Sequence, residues 1–255
     1  MNLKKTMAAG AAALCAAVCL ADVQSSNVVG YQTSSLLNND YTMLGMQFVA
    51  VDGSAIKLKD LQGDFFGGAS LPESDNILIW KEDGYHYYYY GVWNDPENPD
   101  WDNLWYDDTD SDASEVTIDA GRACWYVRRT DGDANITISG AVKTTPVTAT
   151  ILPNDYTMFA NPYPVDIKLK DLAVVNPAGG ASLPESDNVL IWLDDGYHYY
   201  YYGVWNDPEN PDWDNLWYDD SDSDASDVAI PAGRACWYLR RGDATTMSFA
   251  SPLAK

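Results

Sequence analysis

Short apolar runs separated by turn-forming clusters recur along the chain. They are YQTSSLL from Tyr31, YTMLGMQFVAV from Tyr41, NILIW from Asn76, YHYYYYGVW from Tyr85, EVTI from Glu115, RACWYVRR from Arg122 and NITISGAV from Asn135. Gly, Pro, Asn and Asp punctuate them, which is the spacing of an antiparallel sandwich or barrel. Val116 and Ile118 alternate with polar neighbours, as do Ile136 and Ile138, so these runs predict strands with one face in a core. TDGD from Thr130 predicts a tight hairpin turn. Only AIKLKDLQG from Ala55 has room for a helix, and a short one.

The pattern occurs twice. Residues 67–114 match residues 179–226 at a constant offset, differing only at Ile77/Val189, Lys81/Leu193, Glu82/Asp194 and Thr109/Ser221. Looser matches extend the repeat: NDYTM at Asn39 and Asn154, IKLKDL at Ile56 and Ile167, AGRACWY at Ala120 and Ala232. Internal repetition of this kind marks a duplicated structural unit. The expected fold is therefore all-β: two tandem homologous antiparallel β-sandwich or barrel-like modules, over 22–141 and 142–255, with at most one short helix each. Each is an ordinary size for a domain with its own core. The connection GAVKTTPVTATILPND carries no Gly/Ser-rich linker, which predicts strand running into strand and modules that touch.

The N-terminal stretch changes the expected compartment. Lys4 and Lys5 precede a small-residue apolar run that stops at Ala21, the pattern of a cleaved secretory signal over residues 1–21. The run is shorter than the roughly 20 residues of a membrane helix, and no later segment is long and apolar enough to span. The expected location is secreted, cell-surface or periplasmic.

Charge narrows the partners. The formal net charge is −23, and 94–115 and 206–227 each hold nine carboxylates without a Lys or Arg. Such a chain lacks the clustered cations that nucleic acid requires. A glycan or a cell-surface or matrix component is the expected partner class, and the sequence leaves the oligomeric state open.

VVGYQT from Val28, NPYPVDIKLKDL from Asn161 and AGRACWYLRR from Ala232 resemble uncharacterised secreted bacterial β-repeat proteins of the planctomycete, verrucomicrobial and lentisphaeral type. The resemblance implies export and a β fold, and it brings no catalytic residues with it.

Five features bear on candidate chemistry. Asp108, Asp110 and Asp112, repeated as Asp220, Asp222 and Asp224, alternate along acidic loops, and hard carboxylate oxygens from one loop are what Ca²⁺ takes. The EF-hand template is not met, since Ala113 and Ala225 stand where its turn glycine belongs. Trp93, Trp101, Trp105 and Tyr106, with Trp205, Trp213, Trp217 and Tyr218, could stack on sugar rings; the commoner use of such residues is cross-strand aromatic pairing. His86 and His198 occupy equivalent strand positions without a nucleophile elbow nearby in sequence, so no catalytic residue is assigned. Arg241, Gly242 and Asp243 spell an RGD triplet that the first module lacks, as a chance occurrence would. Cys124 and Cys236 are the cysteines left after the leader; a bridge needs Cα atoms within about 7 Å across the modules, so free thiols on a partly covered face are expected.

Two functions follow as expectations. The first is a secreted, non-enzymatic binding or surface protein presenting duplicated aromatic–acidic hairpins. The second is a calcium-dependent carbohydrate-binding protein, with a carbohydrate-active enzyme behind it.

Overall fold

The computed structural model describes residues 28–193 and 196–252. The leader expected over residues 1–21 lies outside them. The first half contributes β1 (Val29–Leu36), β2 (Tyr41–Gly45), β3 (Phe48–Val49), β4 (Ile56–Lys57), β5 (Gln62–Gly63), β6 (Asn76–Lys81), β7 (Gly84–Gly91), β8 (Leu104–Asp107), β9 (Thr117–Ile118), β10 (Ala123–Val127) and β11 (Ala134–Val142). The second contributes β12 (Val147–Ile151), β13 (Tyr156–Ala160), β14 (Ile167–Lys168), β15 (Leu172–Val174), β16 (Asn188–Leu193), β17 (Gly196–Gly203), β18 (Leu216–Asp219), β19 (Ala229–Ile230), β20 (Ala235–Leu239) and β21 (Thr245–Phe249). The remaining regular structure is single 3₁₀ turns. The supposed helix of AIKLKDLQG is one of them, Leu58–Asp60 between β4 and β5.

Each half stacks a five-stranded sheet on a smaller one. In the first half the orders are β2-β10-β6-β7-β8 and β1-β11-β3, with β5 also on β11; in the second they are β13-β20-β16-β17-β18 and β12-β21-β15. All the pairings between these strands are antiparallel. Leu44, Ile77, Tyr88, Trp105, Cys124 and Tyr126 of the larger sheet meet Leu36, Phe48, Ile136 and Ile138 of the smaller one in the first core. Val189, Tyr200, Trp217, Cys236 and Tyr238 meet Ile151, Met247 and Phe249 in the second.

Three local expectations need correction. YTMLGMQFVAV is not one strand, because the chain leaves the larger sheet at Gly45 and joins the smaller one at Phe48. TDGD makes no hairpin: β10 and β11, which it joins, belong to different sheets, so it is a crossover between layers. Cys124 and Cys236 are free as expected, yet each is fully buried in the core of its own half rather than partly covered. Burial pushes the Cys124 thiol up to about 12.

The halves touch through the other faces of their larger sheets. Because side chains alternate along a strand, Met43, Ala123 and Trp125 point away from the first core. They join Met158, Ala160, Leu190, Ala235 and Trp237 in a third cluster. The Ala160 N–H donates to Gly121 O at 2.9 Å, and the Trp80 indole donates to Tyr156 O at 2.8 Å. The middle of each larger sheet is thereby covered on both faces, while Tyr87, Trp192 and Tyr199 stay exposed, which is why runs such as NILIW are apolar almost throughout.

Candidate functional site: the duplicated aromatic–acidic loops

The loop from β7 to β8, and its copy from β17 to β18, is held by its own carboxylates. Asp102 Oδ1 accepts the N–H groups of Trp93 at 2.6 Å and Asn94 at 3.0 Å; Asp214 does the same for Trp205 and Asn206 at the same distances. Asp95 caps Glu97 N–H and Asn98. Asn94 and Asn103 take positive φ, which Asn tolerates better than most residues. Gly91 is required for packing: a Cβ there would lie 2.5 Å from the Tyr106 ring.

The acidic turn after β8 follows the same rule. Asp107 Oδ1 receives the N–H groups of Thr109 at 2.9 Å and Ser111 at 3.0 Å, a side-chain-stabilised turn. Asp110, at positive φ, accepts the Tyr89 hydroxyl at 2.6 Å. Asp112 accepts Ser114 N–H at 2.8 Å. Glu115 pairs with Lys57 and Lys59, which hold its carboxyl down at about 2. In the second half Asp219, Asp222, Asp224 and Asp227 repeat all four roles. Much of the alternating acidity is thus the wiring of two turns.

The predicted site residues separate into two groups. Trp105 and Trp217 are 2% and 3% exposed and belong to the cores, because β8 and β18 turn these positions inward. They cannot stack on a ligand, which corrects the expectation. Tyr106 and Tyr218 are also buried, each edge-on to Trp93 or Trp205 at 5.8 Å. Their hydroxyls donate to the carbonyls of Trp101 and Trp213 at 2.7 Å, and burial, then Asp112 or Asp224, raises both phenols above their ordinary pKa. Trp101 and Trp213 remain open, at 50% and 46% exposure.

Around Trp213 the structure does assemble aromatic and acidic residues. A cleft of about 540 Å³ is lined by Trp205, Asp212, Trp213, Leu216, Tyr218, Asp222 and Asp224. Asp108 and Asp220 are exposed outside these hydrogen-bond networks. Among the described residues no three His, Cys, Asp or Glu side chains are grouped to hold a metal ion. His86 Nε2 lies 2.8 Å from Asp83 Oδ1 at the turn of the β6–β7 hairpin.

One buried cluster escaped the sequence reading. Asp75, 0% exposed, accepts Arg128 Nη1 at 2.7 Å, the Tyr126 hydroxyl at 2.6 Å, Phe66 N–H at 2.9 Å and Arg129 N–H at 2.8 Å. Asp187 does likewise with Arg240, Tyr238, Ala178 N–H and Arg241 N–H. Arg241 of the RGD triplet is therefore tied by its backbone to a structural carboxylate. The available signal was the pairing of SDN with YVRR or YLRR in both copies. Compared with known proteins, the chain matches no family model, and the comparison with curated proteins found no match.

Proposed function

We propose that this is a secreted, non-enzymatic binding protein whose two aromatic–acidic loops each receive a carbohydrate. The observation that carries this reading is the cleft at Trp213, where an exposed indole stands beside Asp212, Asp222 and Asp224. An open ring supplies a stacking platform for the apolar face of a pyranose, and carboxylate oxygens accept its hydroxyls. Trp101 occupies the same place in the other loop, so a polymeric ligand would meet two linked sites and gain avidity. Export rests on the leader pattern of residues 1–21.

Affinity electrophoresis on a panel of polysaccharides tests this. Retardation by at least one polymer is expected, weakened in Trp213→Ala or Trp101→Ala and lost in the double variant. No retardation by any polymer, or equal retardation of the double variant, would remove the reading. Repeating the assay with chelator tests calcium: loss of binding that Asp108→Asn/Asp220→Asn reproduces would bring Ca²⁺ to the acidic loops, and unchanged binding would leave the indoles alone with the task.

A further inference from the structure

A second cleft, unrelated to the loops, lies where the halves meet. It measures about 380 Å³ and is lined by Trp80, Tyr85, Asp155, Tyr156, Leu190, Tyr197, Tyr199 and Trp237. Volume and lining both match a small-ligand site, which is mostly aromatic with few polar groups. We propose that it binds a small organic cation of the quaternary ammonium class, independently of the loop sites.

Ring geometry is the first argument. Trp80 crosses Tyr85 at 70° and Trp237 at 79°, and Tyr156 crosses Trp237 at 81°. Rings set nearly perpendicular to one another border the cleft, so it is walled by aromatic groups of more than one orientation, and a ring face turned to it attracts an alkylated ammonium. The second argument is that the indole donors are already taken. Trp80 Nε1 donates to Tyr156 O, Trp125 Nε1 to the Tyr85 hydroxyl, and Trp237 Nε1 to the Tyr197 hydroxyl. A sugar would need such groups, whereas a cation without N–H donors needs none of them. Charge is the third: Asp155 is the charged lining group, no Lys or Arg is among the lining residues, and the whole chain carries −23.

The duplication does not copy this cleft. Trp192, the counterpart of Trp80, packs on Tyr197 and is 40% exposed, while Trp80 alone of the pair reaches the opposite half through Tyr156 and Trp237. One cation per chain is therefore expected.

Titration of the full chain with choline, followed by tryptophan fluorescence and calorimetry, tests the proposal. A saturable 1:1 response at millimolar choline is expected, with no matching response to 3,3-dimethylbutanol, its uncharged isostere. Tyr199→Ala, at a 42% exposed position that leaves the interface packed, should weaken binding about fivefold or more, and Asp155→Asn should weaken it a few-fold. Trp213→Ala should leave choline binding unchanged, so failure at the loops and failure here are separable. Equal binding of the isostere, no saturable response, or an unchanged affinity in Tyr199→Ala would overturn the assignment.

Discussion

Gly45 and Ala160, equivalent positions of the two repeats, face one another across the contact between the halves. A Cβ on Gly45 would lie 2.7 Å from Ala160 Cβ and 2.2 Å from the carbonyl oxygen of Gly233. The first repeat thus carries glycine where the second carries alanine because there is room for one methyl group between them. Gly45→Ala is expected to wedge the halves apart while each core, on the opposite sheet face, stays packed. The readout is hydrogen exchange: faster exchange of the Ala160 and Trp80 donor groups with unchanged protection in β11 and β21 supports this, and uniform protection throughout would contradict it.

The buried carboxylates predict a large and local loss. Arg240→Met leaves Asp187 fully buried without its countercharge, and breaking such a pair costs about 3–5 kcal/mol. Tyr238→Phe, which removes one donor from the same carboxylate, should cost about 1–3 kcal/mol. Chemical denaturation measures both, and the order of the two losses is the discriminating result.

Acid titration should separate the surface pairs from that cluster. Lys57 and Lys59 hold Glu115 down at about 2, and Lys168 and Lys170 do the same for Asp227. Carboxyls depressed on folding contribute stability that is fully present above their ordinary range near pH 4 and lost as pH falls through the folded value. Compared with the parent, Glu115→Gln/Asp227→Asn should therefore melt lower at pH 6 by a small margin, and the difference should vanish near pH 2. A difference that grows on acidification would refute the sign.

Thiol counting gives a direct check on the cores. With residues 1–21 removed, Cys124 and Cys236 should be unreactive in the native protein and both reactive once it is denatured without reductant. Burial both blocks the reagent and keeps the thiol protonated. A native reaction at either position would mean that its half opens readily.

What could be read from sequence depended on whether a signal was local. Ile136 and Ile138 alternate with exposed Asn135 and partly exposed Thr137, so their strand was legible. The strand containing Trp105 was not, because LWYDD offers no alternation and resembles the loops around it; its inward turn is what removes Trp105 and Trp217 from the site. The acidic spacing was legible as a pattern, but its cause was not. Of the alternating acids, Asp112 caps Ser114 N–H, Asp110 accepts the Tyr89 hydroxyl and Asp108 faces solvent, so one spacing covers three different situations. Asp75 was harder to read for another reason: its partners Tyr126 and Arg128 lie far along the chain, so only the recurrence of SDN with YVRR or YLRR hinted at a contact that the fold makes.

The near-identity of residues 67–114 and 179–226 also sets a problem for the chain before it is folded. In both halves the register pairs a leucine with a tryptophan, Leu78 with Trp125 and Leu190 with Trp237. An unfolded chain can therefore dock the β16–β18 segment on β10 with nearly every side-chain contact preserved. The Leu78–Trp125 and Trp125–Leu190 loops differ in length by less than a factor of two, and a doubling costs only about 0.6 kcal/mol, so chain entropy hardly discriminates. Order of synthesis does discriminate, since the first partner is complete before its rival exists. A chain refolded from denaturant loses that advantage, and exchanged topologies would accumulate as long-lived byproducts whose yield depends on history rather than on stability.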